Sequence, residues 1–248
     1  MPPPAVSAEI EVGDARIHYE VRGQGAPVVL LHGGLGNGNH WAFQVPALAR
    51  AHQIIVIDSR GHGRSTLGSH GLHYAEMATD VIAVLDALKV ERASVVGWSD
   101  GAIIGIELAV HHGARIDRVF AFGANADPSG LVPSGFELPA IKGYIARASA
   151  DTTRLSGDPK KIDALSAAIG AMYEHEPAFT DADLASIRIP IAIADGDHDE
   201  IISNAHVRAL VARIPGAKLV LVRNSSHLAP WQAPDDFNRA MLVFLDAK

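Results

Sequence analysis

Ser94-Val95-Val96-Gly97-Trp98-Ser99-Asp100-Gly101-Ala102-Ile103-Ile104-Gly105-Ile106 is the stretch on which the reading of this chain turns. Ser94 to Gly97 is a short apolar run rich in β-branched residues, the pattern of a strand buried on both faces. From Gly101 to His111, Ile103, Ile106 and Val110 recur at helical spacing. Gly97-Trp98-Ser99-Asp100-Gly101 therefore joins a strand directly to a helix, and the turn must be sharp. Glycines suit both ends of it, because a Cβ there would crowd the neighbouring backbone.

The same alternation extends outward. Val28 to Leu31, Ile54 to Ile57, Val119 to Phe122, Ile189 to Ile193 and Leu219 to Val222 are further continuous apolar runs. Helical patterns over Ala75 to Leu88 and Ala205 to Ile214 separate some of them. Strands alternating with helices predict an α/β fold, a mostly parallel, doubly wound sheet. An opening hairpin is expected from Ile10-Glu11-Val12 and Ile17-His18-Tyr19, which makes about eight strands. Residues 127–186 interrupt the pattern with Pro128, Pro133, Pro139, Gly143, Gly157 and Pro159 and hold no strand-like run. Helices over Ile141 to Ala150 and Ile162 to Tyr173 mark this stretch as an inserted helical cap. The core is then expected to comprise residues 1–126 and 187–248.

Composition narrows the function. The chain has 248 residues, 48% hydrophobic and 20% charged, which excludes disorder along its length. Lys and Arg number 21 against 28 Asp and Glu, a net charge of −7 with no basic stripe, so no nucleic-acid partner is expected. With 0 cysteines, a disulfide framework, a zinc–thiolate site, an iron–sulfur cluster and a thiol nucleophile are all excluded. Met1-Pro2-Pro3-Pro4 lacks the basic flank and apolar run of a secretory signal, and no apolar stretch approaches the roughly 20 residues that span a bilayer. A cytoplasmic protein without membrane association is the expectation.

Ser99 sits where a strand-to-helix turn lifts a hydroxyl above the sheet edge, in the setting of a nucleophile elbow. The alternative is a Gly-Ser-Gly turn without chemistry. A serine nucleophile needs a base, and the base an orienting carboxylate. Downstream, Ile191-Ala192-Ile193-Ala194-Asp195-Gly196-Asp197-His198-Asp199 runs a strand into an acidic loop. Val220-Leu221-Val222-Arg223-Asn224-Ser225-Ser226-His227 runs another into a loop histidine. Both loops leave the same edge as Ser99, which assigns His227 as base and Asp199 as carboxylate; Asp195, Asp197 and Asp127 are nearby alternatives. Asp197-His198-Asp199 also has metal-ligand chemistry, but no second cluster at ligand spacing accompanies it. His32-Gly33-Gly34-Leu35-Gly36 lets backbone N–H groups approach a substrate, and Gly34 and Asp100 are the expected oxyanion-hole donors. The loop lacks the lysine of a phosphate-binding loop.

Together, His32-Gly33-Gly34, Asp58-Ser59-Arg60-Gly61-His62-Gly63-Arg64-Ser65, Gly97-Trp98-Ser99-Asp100-Gly101, Gly196-Asp197-His198-Asp199 and Ser226-His227 resemble an α/β-hydrolase-fold serine hydrolase over essentially the whole chain. The resemblance implies a Ser99–His227–Asp199 triad, no metal or organic cofactor, and Asp58 to Ser65 as a brace. Within that group, the elbow and Phe122-Gly123-Ala124-Asn125-Ala126 most resemble valacyclovir-hydrolase-like esterases. There, an acidic residue at the position of Asp100 is associated with recognising the amino group of an α-amino-acid ester. Ala102 departs from the usual second glycine.

Asp100 raises a physical problem. A carboxylate about 6 Å from a developing oxyanion would cost roughly 2–3 kcal/mol at an effective dielectric near 20. Its charge must point away, be paired by the protein, or be met by a cationic substrate. Against this stands a simple helix-start role, in which the macrodipole favours an acidic first turn. Trp41 and Trp98 are candidates for an acyl pocket. Met172, Tyr173 and Phe179 are more simply cap-to-core packing, and Glu174-His175-Glu176 a solvated helix end. The expected function is cleavage of a carboxylic ester or lactone of a small molecule. A C–C bond hydrolase, thioesterase, amidase or non-catalytic ligand receptor would carry the same motifs.

Overall fold

The opening alternation folds as an antiparallel hairpin, β1 (Val6–Val12) and β2 (Ala15–Gly23). The continuous apolar runs become β3 (Ala26–Leu31), β4 (His52–Ile57), β5 (Ala93–Trp98), β6 (Ile116–Phe122), β7 (Ile191–Gly196) and β8 (Lys218–Val222). In this computed structural model, which describes residues 3–247, they form one eight-stranded sheet in the order β1-β2-β4-β3-β5-β6-β7-β8. β2 pairs antiparallel with β4, and every pairing from β4 onward is parallel. The chain thus has the α/β-hydrolase fold expected from its sequence.

The helices are α1 (Val45–Leu48), α2 (Tyr74–Ala87), α3 (Asp100–His111), α4 (Pro139–Ser156), α5 (Lys161–Tyr173), α6 (Asp181–Ser186), α7 (Asn204–Arg213), α8 (Ala229–Gln232) and α9 (Pro234–Leu245). α3 packs on β3, β5 and β6, α7 on β7 and β8, and α9 on β6 and β8. Both faces of the central strands are covered: Val28 to Leu31, Ile54 to Ile57 and Val119 to Phe122 are all buried. α9 was not among the expected helices, although Phe237, Met241, Phe244 and Leu245 give it a buried stripe at helical spacing. Phe237 alone touches Trp41, Phe120 and Phe122, with ring centroids 5.2–6.3 Å apart. Truncating such a residue to alanine typically costs about 3–5 kcal/mol.

Between β6 and β7 the chain leaves the sheet for two short 3₁₀ turns and then α4, α5 and α6. Both expected helices are there, α4 being longer at each end than the sequence pattern. α6 is too short for periodicity to reveal; a reciprocal Thr180–Asp183 capping box starts it. Ile141 of α4 and Leu165, Ile169 and Met172 of α5 bury the side of this segment that meets the sheet domain. Among the described residues, no helix is long and apolar enough to cross a membrane.

Two helical glycines differ sharply in the room around them. A Cβ on Gly101 would stand 2.0 Å from Leu31 O, a backbone atom that cannot move aside. A Cβ on Gly143, exposed within α4, meets nothing within 4 Å. Gly101→Ala should therefore destabilise by about 3 kcal/mol or more. Gly143→Ala should stabilise by about 0.5–1 kcal/mol. Urea unfolding of the two variants checks the pair; equal effects would contradict the packing.

Candidate active site

The site is built at the C-terminal edge of the sheet, from loops following β3, β5, β6, β7 and β8. The sharpest is the β5–α3 turn. Ser99 has φ 55° and ψ −118°, a conformation that L residues rarely adopt. It is held by Ser99 N–H donating to Phe122 O at 2.8 Å and by Ala102 and Ile103 N–H donating to Ser99 O. A Cβ on Gly97 would lie 2.1 Å from Gly101 O, so the glycines at both ends of the motif are required. Ser99 stands at the N-cap of α3, where the helix favours negative charge. Gly33 comes close enough that a Cβ there would lie 3.0 Å from Ser99 Cβ. Among the described residues, the N–H groups of Gly34 and Asp100 donate to no other protein group.

The acidic and histidine loops are bonded to each other backbone to backbone. Asp197 N–H donates to Val222 O and His198 N–H to Ser225 O, and a Cβ on Gly196 would strike Ser225 O at 2.5 Å. This contact brings Asp199 Oδ2 to His227 Nδ1 at 2.7 Å. Asp199 Oδ1 accepts from Ile201 and Ile202 N–H at 2.7 and 2.8 Å, which fixes the carboxylate. Gly123 gives the imidazole its space: a Cβ there would be 2.8 Å from His227 Cε1. Trp98 Nε1–H donates to His227 O at 2.8 Å and anchors the histidine loop to the serine turn.

The other candidate acids do different work. Asp127 caps the turn at Ser129, and Asp197 accepts from Ser225 N–H. Asp195 is fully buried with Oδ1 on Gly196 N–H. Burial, then the charge of Asp199, pushes its carboxyl far above the ordinary range, toward the neutral form. The sequence offers Asp195 as a rival to Asp199; the structure buries it and gives the His227 contact to Asp199.

Asp100 is 4% exposed. Its Oδ1 accepts from Tyr74 Oη at 2.9 Å and Tyr173 Oη at 2.7 Å, while Oδ2 is buried with no partner. Burial raises its pKa against the opposing pull of the two hydroxyls. Two neutral hydroxyls from within the protein thus serve one oxygen of this carboxyl.

A cavity of about 210 Å³ opens above Ser99. Gly34, Trp98, Ser99, Asp100 and His227 line it, and the segment between β6 and β7 supplies an apolar wall including Phe136, Ile141, Ile145 and Ile169. Of Met172, Tyr173 and Phe179, only Tyr173 reaches it. Trp41 does not line the cavity. It is fully buried beneath the site, edge-on to Trp98 at 6.3 Å, because the Phe237 cluster claims its ring. Glu176 departs from the solvated-end reading: its Oε2 accepts from Tyr74 N–H at 2.9 Å, its Oε1 pairs with His73, and it lies on the cavity wall. No periodic signal in the sequence pointed to Tyr74, Tyr144 or Glu176. Asp58 to Ser65 braces the floor, with Asp58 accepting from Gly38 N–H at 2.7 Å and Ser59 N–H donating to His32 Nε2 at 3.0 Å.

Burial disfavours the His227 imidazolium, but the Asp199 charge and hydrogen bond outweigh it and hold the pKa above 6.5. The same pairing outweighs burial at Asp199 and holds its carboxyl below 3.8. Asp199 thus adds stability above 3.8, lost as pH falls further, and His227 adds stability below 6.5, lost as pH rises through its folded value. An NMR titration of the His227 ring should give a midpoint above 6.5 that drops in Asp199→Asn. A midpoint unmoved by that substitution would contradict the pairing.

Residues 28–240 match the model of the Alpha/beta hydrolase family. A protein of Azorhizobium caulinodans named "Putative carbamate hydrolase RutD" is 31% identical, over 94% of this chain and 96% of its own. Est816, described as an N-acyl homoserine lactone degrading enzyme, superposes with a TM-score of 0.80 at 28% identity, over 96% of this chain and 100% of its own. CumD, a meta-cleavage product hydrolase of Pseudomonas fluorescens IP01, shares the fold with a TM-score of 0.84 at 21% identity, over 97% of this chain and 98% of its own. With strand order, elbow and family match in agreement, the chain belongs to the Alpha/beta hydrolase family.

Proposed function

We propose that this hydrolase cleaves a small carboxylic ester or lactone through an acyl-enzyme on Ser99. The observation that carries the reading is the 2.7 Å His227 Nδ1–Asp199 Oδ2 hydrogen bond behind an imidazole that shares one cavity with Ser99. With Nδ1 engaged, His227 Nε2 is the nitrogen left to take the Ser99 proton. Ser99 Oγ attacks the carbonyl, and the tetrahedral oxyanion is received by the Gly34 and Asp100 N–H groups. Each such donor is worth about 2.7–4 kcal/mol in transition-state stabilisation. His227 returns the proton to the leaving alcohol, then activates the water that releases the acid. Residues 127–186 act as the cap that excludes bulk water. No metal or organic cofactor enters the scheme.

The lining favours a neutral or cationic substrate. Among the described residues no Lys or Arg lines the cavity, whereas Asp100 and Glu176 do. A ring-cleavage acid, the substrate of a C–C hydrolase, would bring a carboxylate that nothing here pairs. The buried, unpartnered Asp100 Oδ2 instead calls for a hydrogen-bond donor, above all an ammonium. That agrees with the likeness of the elbow to valacyclovir-hydrolase-like esterases. Trp98 forms the wall beside the acyl group.

Alanine and propionic p-nitrophenyl esters differ by one amino group and test both parts. Ser99→Ala should lower kcat/KM on each by at least about 10³-fold. Asp100→Asn should lower the alanine-to-propionate ratio by about 10- to 100-fold, the worth of one hydrogen bond to a charged group. Full activity in Ser99→Ala would overturn the mechanism, and an unchanged ratio in Asp100→Asn would remove the amine reading alone.

A further inference from the structure

The loop after β3 is strained where it matters. Gly33 to Gly36 is a tight turn closed by Gly36 N–H donating to Gly33 O at 2.9 Å. Its third residue, Leu35, has φ 60°, the mark of a type II turn, in which glycine is the usual occupant of that position. An L side chain there is under strain. Rotating the Gly34–Leu35 peptide would relieve it and produce the commoner type I turn. The rotation would turn the Leu35 N–H through half a circle and loosen the Gly34 N–H beside it. Something has to hold that peptide.

The holding group comes from the segment over the cavity. Tyr144 Oη, on α4, donates to Gly34 O at 2.8 Å, which is the carbonyl of the peptide in question. The tyrosine ring is itself fixed, with centroids 5.4–5.5 Å from Trp98, Trp231 and His40. On the other side the turn is wedged shut: a Cβ on Gly34 would lie 2.6 Å from Tyr173 Oη and 2.9 Å from Asp100 Oδ2. Burial keeps the Tyr144 hydroxyl protonated, so it remains a donor.

We propose that Tyr144 is a positioning residue: its hydroxyl clamps the central peptide of the Gly33–Gly36 turn, so that the oxyanion hole is formed only when α4 is seated. This rests on the Ser99 reading above. The segment between β6 and β7 then does more than cover the substrate, because its docking sets the aim of a donor in the sheet domain.

Tyr144→Phe keeps the ring packing and removes only the clamp. With p-nitrophenyl butyrate, kcat should fall about 10- to 100-fold while KM changes less than about threefold. Phenylboronic acid, which forms a tetrahedral adduct on an active-site serine, should lose affinity by the same factor as kcat/KM. Adding Leu35→Gly to Tyr144→Phe should restore most of the lost kcat, since glycine holds a positive φ without strain. An unchanged kcat, a rise confined to KM with boronate affinity intact, or no recovery from the glycine would each overturn the proposal. A different result points elsewhere: if phenylboronic acid fails to inhibit the wild type, or Ser99→Ala stays active, the Ser99 reading falls and takes this one with it.

Discussion

Everything at the site depends on how closely the start of α3 crosses the ends of β3 and β5. Two missing methyl groups permit that crossing, one 2.1 Å from Gly101 O and the other 2.0 Å from Leu31 O. No side-chain rearrangement could relieve either contact, because both partners are backbone atoms. The approach forces Ser99 into its rare conformation and sets it at the head of a twelve-residue helix. It also brings the β3 loop up to the serine, where a Cβ on Gly33 would lie 3.0 Å from Ser99 Cβ. The strain is tolerated because the interior of a close-packed sheet domain over-determines it.

The site also holds several carboxyl groups near a position where, in the proposed mechanism, negative charge develops. Asp199 is kept ionised by His227 and two backbone N–H groups. Asp195, four residues earlier and fully buried, is pushed toward the neutral form by burial and then by the Asp199 charge. Asp100 is shared between Tyr74 and Tyr173 through one oxygen, while the other is buried without a partner. Three environments shift one functional group differently, Asp199 downward and Asp195 and Asp100 upward. In the proposed mechanism that division keeps charge behind the imidazole, where it helps, and limits it beside the oxyanion, where it would oppose the reaction.

Much of this was legible in the sequence, for identifiable reasons. Continuous β-branched runs report strands buried on both faces, so β3 to β8 were readable. The elbow was readable because its glycines answer a local steric demand. His227 and Asp199 followed from the order of strands, since parallel strands deliver their following loops to one edge. What escaped had no local cause in the sequence. Tyr144 and Tyr74 sit in helical patterns as ordinary amphipathic positions, and only the docking of α4 and α2 aims their hydroxyls at Gly34 O and Asp100. Trp41 joins the buried cluster and not the cavity for the same reason: nearness to a glycine loop in sequence does not say which face of the sheet a ring joins. Glu176 looked solvated because its partners, His73 and Tyr74, lie about a hundred residues away.

In the proposed mechanism the strained serine is the nucleophile. A fluorophosphonate label reacts only with a serine hydroxyl activated by a base and supported by oxyanion donors. Mass spectrometry of the labelled chain after proteolysis should place one adduct on the peptide carrying Ser99, with esterase activity lost in proportion to labelling. Labelling of a different residue, or full activity after stoichiometric modification of Ser99, would contradict the account.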